Sequence, residues 1–194
     1  AQLIDSTAIF GRTAVMESYA LIFAGIRKTL EQYQRSDDEH AKELIGRLRR
    51  SEYLQCVAKP RIDWESDCAR AELLNDLVHD AVSVLGSGLS FDDAELQGLL
   101  EQLARLVGQD VEVEEDGTGR LIDGVSADRQ VSVVDPEMRH GRKSKSRKFN
   151  GYKGTVTADA TSGVITAVHV MAANEHDSAA TVPIIDQQSQ SGTQ

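Results

Sequence analysis

The sequence predicts a mixed α/β (α+β) fold, and three observations carry that reading. From Ala14 to about Val107 the apolar residues recur at threes and fours, the period of helices packed by one face. Beyond Asp110 the pattern changes to short extended runs rich in Val, Ile and Thr. At the start, Leu3-Ile4-Asp5-Ser6-Thr7-Ala8-Ile9 is a further strand candidate, with a carboxylate inside an apolar run.

The helical part resolves into four stretches. Val15, Tyr19, Ile22, Phe23, Ile26, Leu30 and Tyr33 form one stripe on a helix about twenty residues long. Ser36 followed by Glu39 reads as a capping box for a shorter helix marked by Ala41, Leu44, Ile45 and Leu48. A third helix carries Leu74, Leu77, Val78, Ala81, Val82 and Leu85, and stops at Gly86-Ser87-Gly88. Ser90 with Asp93 opens a fourth, through Leu96, Leu99, Leu100, Leu103, Leu106 and Val107. The prolines, Pro60, Pro136 and Pro183, interrupt none of these. His40 beside Glu39 and Glu43, and His79 beside Asp76 and Asp80, read as solvated helix faces rather than ligand sets.

An acidic connector follows, with Glu112, Glu114, Glu115, Asp116, Gly117 and Gly119. Val131-Ser132-Val133-Val134 then reads as a strand ending at Asp135-Pro136, where Asp135 orders the entry to the next loop. Tyr152 to Ala158 and Val164 to Met171 form a hairpin across a five-residue turn in which Gly163 supplies positive φ. Both faces of the second run are apolar, so that strand is expected to be central and His169 a hydrogen-bonded core histidine. Asp177 is expected to cap a short helix near Ser178, or Pro183 to sit in the first turn of a helix opening at Thr181.

Composition narrows the function. The 194 residues carry 31 acidic and 21 basic side chains, a formal charge of −10, and 40% hydrophobic residues. That suits a water-soluble chain with a core of its own. No run of about 18 apolar residues occurs, and Ala1 to Phe10 lack the basic start and cleavage site of a leader, so membrane and secretory roles are not expected. Cys56 and Cys68 stand in no zinc or disulfide pattern and are expected to be reduced, packed thiols. Charge is unevenly spread: residues 137 to 153 hold Arg139, Arg142, Lys143, Lys145, Arg147, Lys148 and Lys153 against Glu137 alone. A basic stripe on an acidic protein marks a polyanion contact, while the same residues read as a solvated loop if nothing binds there. Asp5 alone reads as a strand-end or turn carboxylate, or as one that meets a cation.

Particular segments carry a resemblance. They are Leu3-Ile4-Asp5-Ser6-Thr7 with Gly11 and Ala14-Val15-Met16-Glu17-Ser18-Tyr19, then Val131 to Ser144 running on through Phe149-Asn150-Gly151-Tyr152-Lys153, and finally Ile165-Thr166-Ala167-Val168 with Asn174-Glu175-His176-Asp177. In these the chain resembles the DDE-type transposases of bacterial insertion sequences, whose catalytic core is RNase H-like. The resemblance implies an incomplete RNase H-like sheet from residues 1–10 and 129–194, with a large all-helical insertion and its acidic connector at 11–128. It implies double-stranded DNA at transposon ends as partner, self-association, bacterial cytoplasmic location at the nucleoid, and Mg²⁺ or Mn²⁺ as the complete enzyme's cofactor.

In that family three carboxylates hold two divalent ions, one activating the attacking oxygen and one stabilising the leaving oxygen. The resemblance makes Asp5 the first catalytic, metal-binding carboxylate. It assigns Arg139, His140, Arg142, Lys143, Lys145, Arg147, Lys148 and Lys153 to DNA phosphates. The family's second Asp and its Glu lie beyond the matching segments, so the chain is expected to be C-terminally truncated and not to cut DNA alone; Asp135, Asp159 and Asp177 do not match them. A non-catalytic regulatory DNA-binding product, and an acidic helical interaction protein without a DNA role, stay open as alternatives.

Overall fold

In the computed structural model, residues 1–55, 59–88, 93–144 and 146–190 are described. They form two compact units, Ala1–Val15 with Ala127–Gln194 and Met16–Ser126. Cys56, Ser90 and Lys145, each given a role above, lie outside the described residues.

The Met16–Ser126 unit contains α1 (Ser18–Ser36), α2 (Asp38–Arg47), α3 (Asp67–Leu85) and α4 (Ala94–Asp110), then a small hairpin of β2 (Val111–Val113) and β3 (Gly119–Leu121). Its core joins Ile22, Phe23, Ile26 and Leu30 of α1 to Leu73, Leu74, Leu77 and Val84 of α3 and to Leu96 and Leu103 of α4. Gly25 allows α1 and α4 to approach, since a β-carbon there would stand 2.9 Å from Leu106 Cδ1. Asp93 caps α4 by accepting from the backbone N–H groups of Glu95 and Leu96. The cap of α2 is Asp37, accepting from His40 N–H, rather than Ser36. Ser36 is still inside α1, and its hydroxyl donates back to Gln32 and across to Asp93. Leu74, Leu77, Val78 and Ala81 of the expected α3 stripe are buried, but Val82 and Leu85 face solvent, and Leu73, Asp80 and Val84 complete the buried face. Cys68 is exposed beside Glu72 rather than packed.

Asp80 is the charged member of that stripe and is completely buried. Its oxygens accept from Arg49 N–H at 2.8 Å, Arg50 N–H at 3.1 Å and the Tyr53 hydroxyl at 2.8 Å, with His79 Nδ1 at 3.3 Å. One carboxylate thereby ties the segment after α2 to the middle of α3. A buried charge is tolerated because each lone pair finds a donor. Burial and the Asp80 charge push the Tyr53 phenol pKa up.

The other unit holds β1 (Gln2–Phe10), β4 (Arg139–Arg142), β5 (Lys148–Asp159), β6 (Ile165–Ala172), a 3₁₀ turn (Asp177–Ala180) and α5 (Thr181–Gln190). The sheet is antiparallel and centred on β5. It pairs with β1 from Gly151 to Asp159, with β6 from Tyr152 to Ala158, and with β4 from Lys148 to Gly151. Val131 to Val134 is an irregular segment, not a strand: Val131, Ser132 and Val133 are inside, Val134 is exposed, and the Ser132 hydroxyl accepts from the Val134 and Asp135 N–H groups. The expected basic loop is largely the β4–β5 hairpin. Among the described residues β6 pairs with β5 alone, so it is an edge strand, with Val168 and Val170 half exposed. His169 accordingly is half-buried rather than core. Asp159 organises the β5–β6 turn by accepting from the Thr161 and Ser162 N–H groups, and Gly163 takes φ +72°. Among the described residues no helix is long and apolar enough to cross a membrane.

Replacing Asp80 by Ala strands the Tyr53 hydroxyl and two backbone N–H groups; urea unfolding is expected to show a loss of about 3 kcal/mol, against about 1 kcal/mol for Tyr53→Phe.

Candidate nucleic-acid interface

Strand register distributes the candidate residues over two faces of the sheet. Ser6 stands opposite Thr155 and Asp5 opposite Val156, so the pleat sends their side chains to opposite sides. The Ser6 face carries Lys153, Thr155, Thr157, Ala167 and Met171 and is covered by Ala180 and Ile184. Asp5 shares the other face with Leu3, Ile9, Val156, Val168 and Val170, much of which is exposed. Its carboxylate is exposed and accepts the Ser6 N–H at 2.8 Å.

On the covered face a polar cluster forms beside Ser6. Asp177 accepts from the Ser6 hydroxyl at 3.2 Å and pairs with the Lys153 ammonium at 3.0 Å. Lys153 also donates to the Glu175 carbonyl. Asp177 is therefore held by strand β1 and strand β5 together, although it heads the 3₁₀ turn whose actual cap is His176. The Lys153 ammonium is the main reason the Asp177 carboxyl titrates below its ordinary value.

The eight basic residues separate by what they touch. Arg139 is buried; its guanidinium donates to Asp128 at 2.7 Å and to the Pro136 and Met138 carbonyls. Lys153 belongs to the Asp177 pair. His140 meets the Asn150 side chain, and the Lys143 ammonium donates to the Ser6 carbonyl. Arg142, Arg147 and Lys148 are exposed on the hairpin, and none of them has an acidic side chain within salt-bridge distance among the described residues. Lys145 lies outside the described residues. The sequence reading treated all these cations alike, but the fold gives two of them internal counter-charges.

At the hairpin base, Tyr152 donates to Asp135, and burial with this bond pushes the phenol pKa up to about 12. Asp135 thus fastens the irregular segment to β5. Gly151 makes the junction between the long ladder and the hairpin, at φ +143°, where a β-carbon would fall 2.1 Å from the Ile9 carbonyl.

The described residues do not form a two-metal site. A divalent ion of the Mg²⁺ type needs several converging oxygens, whereas Asp177 lies on the face opposite Asp5. Among the described residues no group of three or more His, Cys, Asp or Glu is placed to hold a metal.

Residues 108–191 match the family model described as the transposase DDE domain. No curated protein and no solved structure matches the chain.

The sign of the Asp177 shift sets a pH dependence. A carboxyl that titrates low in the folded state contributes stability fully present above its ordinary value of 3.8, lost as pH falls through the depressed folded value. Urea midpoints measured from pH 6 downward should therefore fall less steeply below about pH 4 in Asp177→Asn than in the parent protein.

Proposed function

We propose, for a chain whose residues 108–191 match the transposase DDE domain model, that it is a transposase of that family and that the β4–β5 hairpin holds DNA backbone phosphates beside the strand that carries Asp5. The observation behind this reading is the set of three exposed cations, Arg142, Arg147 and Lys148, on one short hairpin without internal counter-charges. Phosphates that replace their condensed counterions with such side chains release those ions, which favours association and positions the duplex without reading its sequence.

Charge distribution supports the same assignment. The Met16–Ser126 unit has 23 acidic residues against 12 basic, so it repels a polyanion. The hairpin belongs to the other unit. Asp5 stands on β1, whose Ser6 carbonyl receives Lys143 from the same hairpin, so the carboxylate and the phosphate contacts share one scaffold. In this reading Asp5 is one metal-holding carboxylate of a transposase. Strand cleavage and transfer belong to a site in which further carboxylates join it, and the chain by itself binds DNA without cutting it.

Fluorescence anisotropy of a labelled duplex over a salt series tests the contact. Replacing Arg142, Arg147 and Lys148 together by Ala is expected to weaken binding and flatten the slope of log K against log salt by about 0.9 per lost phosphate contact. An unchanged slope returns the hairpin to the solvated surface and favours the acidic interaction protein.

A further inference from the structure

We infer that the β4–β5 ribbon reads one adenine in the major groove of DNA, through the hydrogen-bonded pair His140 and Asn150. The inference rests on the DNA reading above and goes beyond it, since cations alone hold phosphates without distinguishing sequences.

Register sorts the ribbon into two faces. Arg139, Gly141, Phe149 and Gly151 are buried on one of them. There the Phe149 ring lies 6.0 Å from that of Phe10, and a β-carbon on Gly141 would stand 2.7 Å from Ala173, so this face is committed to packing. The other face carries His140 opposite Asn150 and, one row nearer the tip, Arg142 opposite Lys148. His140, Arg142 and Lys148 are exposed, and Asn150 is half-buried. A two-stranded ribbon fits the major groove, which is about 12 Å wide. Successive rows on one face are two residues apart, about 7 Å. That spacing is close to half the groove's width, so a pair lying over the base edges leaves the next row beside the phosphates of the rim.

The chemistry of the His140–Asn150 pair selects the base. His140 Nδ1 and the Asn150 amide oxygen bond to each other. A neutral imidazole has one donor and one acceptor nitrogen, so with Nδ1–H donating to the amide oxygen, Nε2 is left as an acceptor. The Asn150 amide nitrogen keeps its donors. Neither group has a further partner among the described residues. Turning the amide over exchanges the two roles, and the pair still presents one donor beside one acceptor. Adenine offers the complement in the major groove, an N7 acceptor beside an N6 amino donor. Guanine offers two acceptors, thymine an acceptor beside a methyl group, and cytosine a donor alone. The mutual hydrogen bond also holds the two side chains in place before DNA arrives, which lowers the ordering cost of the contact.

Selection of the 194-residue protein on a pool of short duplexes with randomised centres, at pH 8, followed by sequencing of the retained duplexes, tests this. The parent protein is expected to enrich adenine over guanine about tenfold at one position. Asn150→Ala and His140→Phe are each expected to reduce that ratio to about twofold or less. Both should leave the slope of log K against log salt unchanged, because neither removes a phosphate contact. Placing 7-deazaadenine at the selected position, which replaces N7 by carbon, is expected to weaken the parent about tenfold and the Asn150→Ala protein far less. Circular dichroism checks that the variants fold, either folded variant suffices, and the 7-deazaadenine comparison on the parent needs no variant at all. Salt-dependent binding without an adenine preference overturns the inference and leaves the phosphate reading standing. So does a preference that survives in a folded variant, and so does one indifferent to the loss of N7. Absence of duplex binding at low salt overturns both.

Discussion

The register between β1 and β5 is the constraint on which the sheet unit depends. Side chains alternate along a strand, so a slip of one residue would exchange the places of Asp5 and Ser6. The Ser6 hydroxyl would leave Asp177, and the Asp5 carboxylate would be driven under the 3₁₀ turn and α5. Gly151 protects the register at one end, since the Ile9 carbonyl approaches too closely for any side chain there. At the other end the Ala160 N–H closes on the Ala1 carbonyl. Pairing along nine residues of β1 also brings the start of the chain to a strand that follows it by some 140 positions. Such a contact carries a loop-closure cost that grows only slowly with the length of the intervening chain.

Electrostatics in this unit serve two purposes with the same residue types. Arg139 and Lys153, sheltered themselves, spend their charge within the unit on the exposed carboxylates of Asp128 and Asp177, and their removal would leave those carboxylates without these partners. Arg142, Arg147 and Lys148 remain available to an external anion. Surface ion pairs in water contribute little to stability. The more consequential pairings are therefore the sheltered ones, and the exposed cations are better placed to act on a partner.

Helices were legible in the sequence because burial imposes a period on them: the stripes through Ile22, Phe23 and Ile26, and through Leu96 and Leu103, are core. Local hydrogen-bond competition was less legible. Ser36 and Asp37 are both good capping residues, and the structure uses Asp37, because Ser36 completes the last turn of α1. Strand content at Val131 to Val134 was misread for a related reason: an apolar run records burial, while pairing depends on a neighbour that the run does not name. The same gap made β6 appear central when β5 holds that place. Asp80 had a usable signal, since it falls on the face of α3 shared by Leu77 and Val84, where a charge requires donors. The Ser6, Lys153 and Asp177 cluster had none, because its members come from three elements that only the fold brings together. Nor could charge counting separate Arg139 from Arg142, which differ in burial and not in residue type.

A hydrogen-exchange footprint of the 194-residue protein with and without a short duplex, at low salt, bears most directly on the claim that the basic hairpin is the DNA contact. The account predicts slowed exchange confined to residues 139 to 151, with the acidic hairpin at 111 to 121 unchanged. Protection centred on the helical unit, or none anywhere while the duplex is bound, would contradict it.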